Sequence, residues 1–99
     1  MVDLSAYRSR LIELCHTLSV KRLELVGSAA REDFYPESSD IDVLIEFEGN
    51  HALFDRYFEL KFGLESIFGR KVDVIQSRAI QNPHLRASLE QDRIAIYEA

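Results

Sequence analysis

Between Val26 and Glu46 the chain reads VGSAAREDFYPESSDIDVLIE, and this stretch decides the fold. An apolar strand closes at Val26. Gly27 and Ser28 open a short helical turn, a loop follows, and Asp40-Ile41-Asp42 begins a second strand. Side chains alternate along a strand, so Asp40 and Asp42 share a face, with Cα atoms about 6.6–6.8 Å apart. Two carboxylates converging to ~5 Å repel by roughly 3 kcal/mol at an effective dielectric near 20. A fold gains nothing from that unless a cation stands between them. The simplest cation is Mg²⁺, a hard ion that takes carboxylate and phosphate oxygens together.

Within the stretch, Gly27 lets the backbone leave the strand in a conformation other residues resist. Ser28 sits where the next turn begins. Its free backbone N–H groups and hydroxyl suit a triphosphate, and equally suit a plain helix cap. Arg31 could reach a phosphate or pair with Glu32, Asp33 or Glu37. Phe34 to Ser39 is a loop, since Pro36 and two serines disfavour regular structure. From Asp40 to Phe47 the second strand sends Ile41, Val43 and Ile45 to the core and Asp40, Asp42 and Leu44 to an open face.

Upstream, Asp3 can cap a helix running to about Leu18, with Leu4, Tyr7, Leu11, Leu14, Cys15 and Leu18 as its buried stripe. Cys15 reads as a small buried apolar residue rather than a reactive thiol. His16 reads as a surface residue. Val20 to Arg22 is expected to turn the chain into a short strand, Leu23 to Val26.

Downstream, Asn50 can cap a helix over about 52–68. Leu53, Tyr57, Leu60, Leu64, Ile67 and Phe68 form its stripe. Phe54, Phe58 and Phe62 make a second row at i, i+4, i+8. Burial is expected for Phe54. Phe58 and Phe62 suit either core or a partner surface. Gly63 costs about 1 kcal/mol against Ala in a helix interior, and close packing is the reason to keep it. Gly69 ends the helix. Lys71 to Ile75 is a third strand with Asp73 opposite Val72 and Val74. Asp in a short apolar strand needs a partner, which is either Arg70 or Lys71, or a cation shared with Asp40 and Asp42. Asn82-Pro83 starts a last helix to about Asp92. Leu85 and Leu89 should face inward, His84 and Arg86 outward. Ile94 to Tyr97 is a final edge strand.

Ninety-nine residues, 46% of them apolar, suit a single domain spanning 1–99 with little room for a second core. The net charge of -5 argues against a chain that grips nucleic acid directly. It fits a nucleotide reached through metal, or a basic partner. One cysteine excludes an internal disulfide. No long apolar run or leader pattern is visible, so no membrane contact is expected and the setting reads as cytoplasmic.

Taken together, Gly27-Ser28, Arg31, Ser39-Asp40-Ile41-Asp42 and Val72-Asp73-Val74 resemble the nucleotidyltransferase superfamily typified by DNA polymerase β, and more closely its minimal nucleotidyltransferases. The resemblance covers nearly the whole chain. It implies an α/β fold, a small mixed β-sheet with helices packed mainly on one face. It implies that Gly27 and Ser28, with Arg31 and Ser39, hold a triphosphate. Asp40, Asp42 and Asp73 would hold two Mg²⁺ ions, and Asp73 would help deprotonate the incoming hydroxyl. Such domains resemble antitoxins that move AMP from ATP onto a tyrosine of a HEPN-type ribonuclease toxin. Three features depart from the usual pattern: Glu32 where many relatives have Gly, Ala29 where many have Arg, and a loop longer by one residue at Ser38. These keep open a non-catalytic antitoxin that neutralises by binding, and a nucleotidyltransferase for a small-molecule acceptor. The Gly-rich Lys motif of P-loop NTPases and the three-glycine turn of dinucleotide binders are both missing.

Overall fold

Among the described residues the chain forms α1 (Arg8–Thr17), β1 (Val20–Val26), β2 (Ile41–Phe47), α2 (Leu53–Phe68), β3 (Val72–Gln76), α3 (Pro83–Gln91) and β4 (Ile94–Glu98). Short 3-10 turns follow β1 at Gly27–Ala30 and β3 at Ser77–Ala79. The computed structural model describes residues 4–30, 40–91 and 93–99. The strands make one mixed sheet in the order β3-β2-β1-β4. β1 pairs antiparallel with both β2 and β4, while β3 lies parallel to β2. That parallel pair needs a crossover, which α2 supplies.

α1 and α2 cover one face of the sheet. Leu11, Cys15 and Leu18 of the first helical segment meet Leu60, Leu64 and Phe68 of α2 over Leu23, Leu25, Ile41, Val43, Ile45, Val72 and Val74. The apolar spacing of both helices is thus the spacing of the core. Burial pushes the Cys15 thiol up to about 12, which fixes it as a packing residue. On the other face Val26 and Leu44 lie under Ile80, so that face is open only in part. No helix of the described residues is long and apolar enough to cross a membrane.

Several local expectations are corrected. β1 starts at Val20, three residues before the expected strand, because the turn is made at Ser19 with φ 54°. The start of α2 lacks a side-chain cap: Ala52, at φ 48°, precedes it, rather than Asn50. Phe54 is 75% exposed and Phe62 60%. With Phe58 between them, they form a ladder with ring centroids 4.8 and 6.0 Å apart. The core side of α2 is already filled by its other row. Leu85 is 50% exposed rather than inward, and the side chain of Leu89 lies outside the described residues, as does Asp3. Arg86 turns in, its guanidinium donating to Ser77 O at 2.7 Å and Ile80 O at 3.3 Å. It thereby pins the segment that covers Val26 and Leu44. Asn82 caps α3 as expected, its Oδ1 accepting from His84 N at 2.9 Å and Leu85 N at 3.4 Å.

Gly63 has a specific neighbour. A Cβ there would come within 2.8 and 2.9 Å of the two Leu14 methyls. The missing side chain lets α1 and α2 approach at Leu14. Arg56, not singled out by any pattern in the sequence, is buried at the opposite end of the sheet from Gly27. It donates to Leu18 O at 2.9 Å, Ser19 O at 2.8 Å, Glu48 O at 2.9 Å and His51 O at 2.9 Å. Its guanidinium also stacks 4.5 Å above the Phe47 ring. One side chain therefore joins the α1–β1 turn to the β2–α2 turn.

Candidate active site

The site is built where the ends of three strands meet. β1 ends at Val26, which pairs with Asp42 of β2, and Asp42 pairs in turn with Asp73 of β3. Neighbouring strands lie about 4.7–4.9 Å apart, so register alone brings the two aspartates side by side. The Asp42 and Asp73 carboxyls are near enough to act on each other directly. Partial burial, then Asp73, then Asp40 hold the Asp42 carboxyl above the usual range. Two carboxylates in contact need a proton or a cation between them.

Gly27 completes this corner. Its φ is +66°, and a Cβ built on it would lie 2.8 Å from Asp42 Oδ2. Gly27 is thus required twice: by the left-handed turn and by the carboxylate resting on its backbone. The 3-10 turn Gly27–Ala30 leads away from that point. Ser28 lies in this turn, though its side chain is outside the described residues. Arg31 and Ser39, together with Glu32 and the rest of residues 31–39, also lie outside them.

Asp40 stands one residue ahead of β2 and is exposed. It acts on Asp42 through space. Among the described residues no three His, Cys, Asp or Glu side chains are gathered tightly enough to enclose an ion. Of the expected trio, Asp42 and Asp73 face each other across the β2–β3 pair, and Asp40 acts on Asp42 from just ahead of β2. The chemistry of the pair fits a divalent cation, which would neutralise both acids.

The same sheet face carries a contrasting group. Glu24, two residues before Val26, is buried and lies 3.5 Å from both Arg22 Nε and Arg93 Nε. Arg22 also reaches Glu46 at 3.4 Å. These acids have their cations built in, whereas Asp42 faces other acids. Alternation along β1 puts Glu24 on the Asp42 face, a signal present in the sequence but masked by its apolar neighbours.

Residues 8–96 match the model of the nucleotidyltransferase domain. The chain belongs to that family. A provisionally named protein adenylyltransferase of Methanocaldococcus jannaschii is 45% identical over 78 residues, which is 78% of this chain and 77% of the relative. A solved, provisionally named minimal nucleotidyltransferase superposes with a TM-score of 0.76 at 33% identity, covering 92% of this chain and 90% of that one. A chain from the complex of a tri-AMPylated Shewanella oneidensis HEPN toxin with an MNT antitoxin superposes at TM-score 0.68. At 16% identity, over 98% of this chain and 74% of that one, this last match speaks for the fold. The small mixed four-stranded sheet, with two of its three helices packed on one face, is the minimal nucleotidyltransferase fold.

Proposed function

We propose that the chain is a protein adenylyltransferase of antitoxin type, moving AMP from ATP onto a tyrosine hydroxyl of a HEPN-type ribonuclease. The observation that carries the reading is the pairing of Asp42 with Asp73 beside Gly27, with the Asp42 carboxyl held above the usual range by burial and by its acidic neighbours. Asp42 and Asp73, with Asp40, would hold Mg²⁺, two ions in the full site. Mg²⁺ supplies neutralisation of charge on the attacking and leaving oxygens. Gly27 and Ser28 would receive the triphosphate, with Arg31 and Ser39 beside them. The acceptor oxygen forms a bond to the α-phosphorus, the α–β bond breaks, and pyrophosphate leaves. Asp73, exposed at the sheet edge, would take the hydroxyl proton and pass it to solvent. The relatives named as adenylyltransferases and the AMPylated toxin of the neighbouring complex support this choice of donor and acceptor. ATP as donor makes the cytoplasm the setting.

The test is label transfer from α-labelled ATP to the product of the neighbouring gene, with Mg²⁺. Asp42→Asn should lower the rate by at least ~10², because it removes charge stabilisation in the transition state. Transfer that survives in Asp42→Asn at the native rate would sink the proposal.

A second reading is favoured by the ladder of exposed Phe54 and Phe62 with half-buried Phe58 between them, which suits neutralisation by binding alone. In that case Phe58→Asp abolishes rescue of growth from the toxin, while Asp42→Asn preserves it. The opposite pattern excludes it.

A further inference from the structure

We propose that Tyr57, Lys61 and Glu65 of α2 form a clamp on the free edge of β3 that sets the position of Asp73. Lys61 and Glu65 are then positioning residues for the candidate site. The inference rests on reading Asp42 and Asp73 as a cation-holding pair.

β3 is five residues long and, among the described residues, pairs only with β2. The Ile41 N–H donates to Lys71 O at 3.2 Å. In a parallel ladder alternate residues face the partner strand, so Val72 and Val74 turn their backbone groups outward. α2 meets them. The Val72 N–H donates to Glu65 Oε2 at 3.0 Å, the Lys61 ammonium donates to Val72 O at 2.5 Å, and the Tyr57 hydroxyl donates to Val74 O at 3.1 Å. Lys61 and Glu65 also pair with each other at 3.4 Å.

The periodicities match. Four helical residues rise about 6 Å, and two strand residues span about 6.6 Å. Tyr57 and Lys61, four apart, therefore meet the carbonyls of Val74 and Val72, two apart, and Glu65, the next residue in the row, takes the Val72 N–H. The clamp occupies the bonds that a fifth strand would make, so it also closes this edge to strand addition.

Its mechanical role follows from where the charge sits. Asp42 pushes on Asp73 across the strand pair, away from β2. Val72, the residue clamped from both its N–H and its carbonyl, immediately precedes Asp73. The clamp opposes the push from the far side of the strand. The Val72 N–H holds the Glu65 carboxyl below the usual range, with Lys61 helping, so the acceptor stays charged while the site is in use.

The experiment uses the full chain, with Mn²⁺ as the probe, and compares wild type, Glu65→Ala, Glu65→Gln and Tyr57→Phe. Mn²⁺ affinity is read by titration, and amide exchange by NMR. Glu65→Ala should weaken Mn²⁺ about tenfold, a typical effect for a group that orients a ligand, and Glu65→Gln, still an acceptor for Val72 N–H, should restore it. Exchange at Asp73 should quicken about tenfold in Glu65→Ala and less in Tyr57→Phe, while β4, the other edge, stays unchanged. Wild-type affinity in Glu65→Ala, failed rescue by Glu65→Gln, or equal acceleration at β4 overturns the clamp. A wild type that binds no Mn²⁺ overturns the reading of the pair instead. In that case the exchange pattern still decides whether the clamp holds β3.

Discussion

Replacing Asp42 by Asn should make the metal-free protein more stable and the metal-loaded protein less so. Asp42 pairs in register with Asp73 on the neighbouring strand and is partly buried. Two unit charges about 4 Å apart repel by ~4 kcal/mol at an effective dielectric of 20. Asp73 is exposed, so solvent screening reduces this to roughly 1–2 kcal/mol. For a domain of this size that corresponds to a rise in Tm of about 5–10 °C. The pH dependence has a definite sign. The fold raises the Asp42 carboxyl, so its favourable share is full below the unfolded value, about 3.9, and is lost as pH rises through the native value. The advantage of Asp42→Asn should therefore vanish near pH 4 and be complete at neutral pH. Adding Mg²⁺ at a hundred times its Kd should return ~2.7 kcal/mol to the wild type and far less to the variant. Thermal unfolding followed by circular dichroism, with EDTA and with Mg²⁺, at acid and neutral pH, makes the comparison. A lower Tm for Asp42→Asn in EDTA at neutral pH refutes the repulsion argument. An equal Mg²⁺ gain in both proteins refutes the cation site.

Gly27→Ala meets both a left-handed backbone and Asp42 Oδ2 at 2.8 Å; it should cost about 1–3 kcal/mol in chemical denaturation and displace the carboxylate enough to weaken Mn²⁺ binding. Arg56→Met leaves four carbonyls without their donor and should cost about 3 kcal/mol in a urea titration, with Mn²⁺ affinity unchanged in the folded fraction. Gly63→Ala gains ~1 kcal/mol of helix propensity but crowds Leu14. It should be net destabilising alone and recover in the double variant with Leu14→Ala, a coupling that a double-mutant cycle measures. Cys15, buried with its thiol pushed up to about 12, should resist a thiol reagent at pH 8 until the protein unfolds.

Much of this was legible in the chain because it follows from local periodicity. Alternation along Ile41–Ile45 placed Asp42 opposite the core, and the i, i+4 rows of α1 and α2 gave the buried stripes. The Gly-Ser turn and the Asp-x-Asp spacing marked the corner of the site. What escaped depended on distant partners. Arg56 looks like any surface arginine on a helix, and only tertiary packing brings four carbonyls to it. Phe54 was expected inside because large aromatic residues favour burial, yet the core side of α2 was already filled. The reason for Gly63 lies in Leu14, on a different helix. The Val72 clamp was equally hidden, since no pattern in α2 distinguishes Lys61 and Glu65 from an ordinary i, i+4 ion pair.

The fold treats charge differently at the two ends of β1. Near its start, Arg22 is matched by Glu24 and Glu46, and Arg56 by backbone dipoles. Near its end, Asp42 is set against Asp73 on an edge strand of the sheet. An edge strand is a poor place for repulsion, since one ladder holds it. It is a good place for an acid that must meet an acceptor from another molecule, because the approach is not blocked by a further strand. The α2 side chains that hold Val72 reconcile the two demands. They fix the strand from outside without covering the carboxylate, which lies on the sheet face away from α2. Exposure of Asp73 and stiffness of β3 are then separable, and substitutions in α2 should alter the second while leaving the first intact.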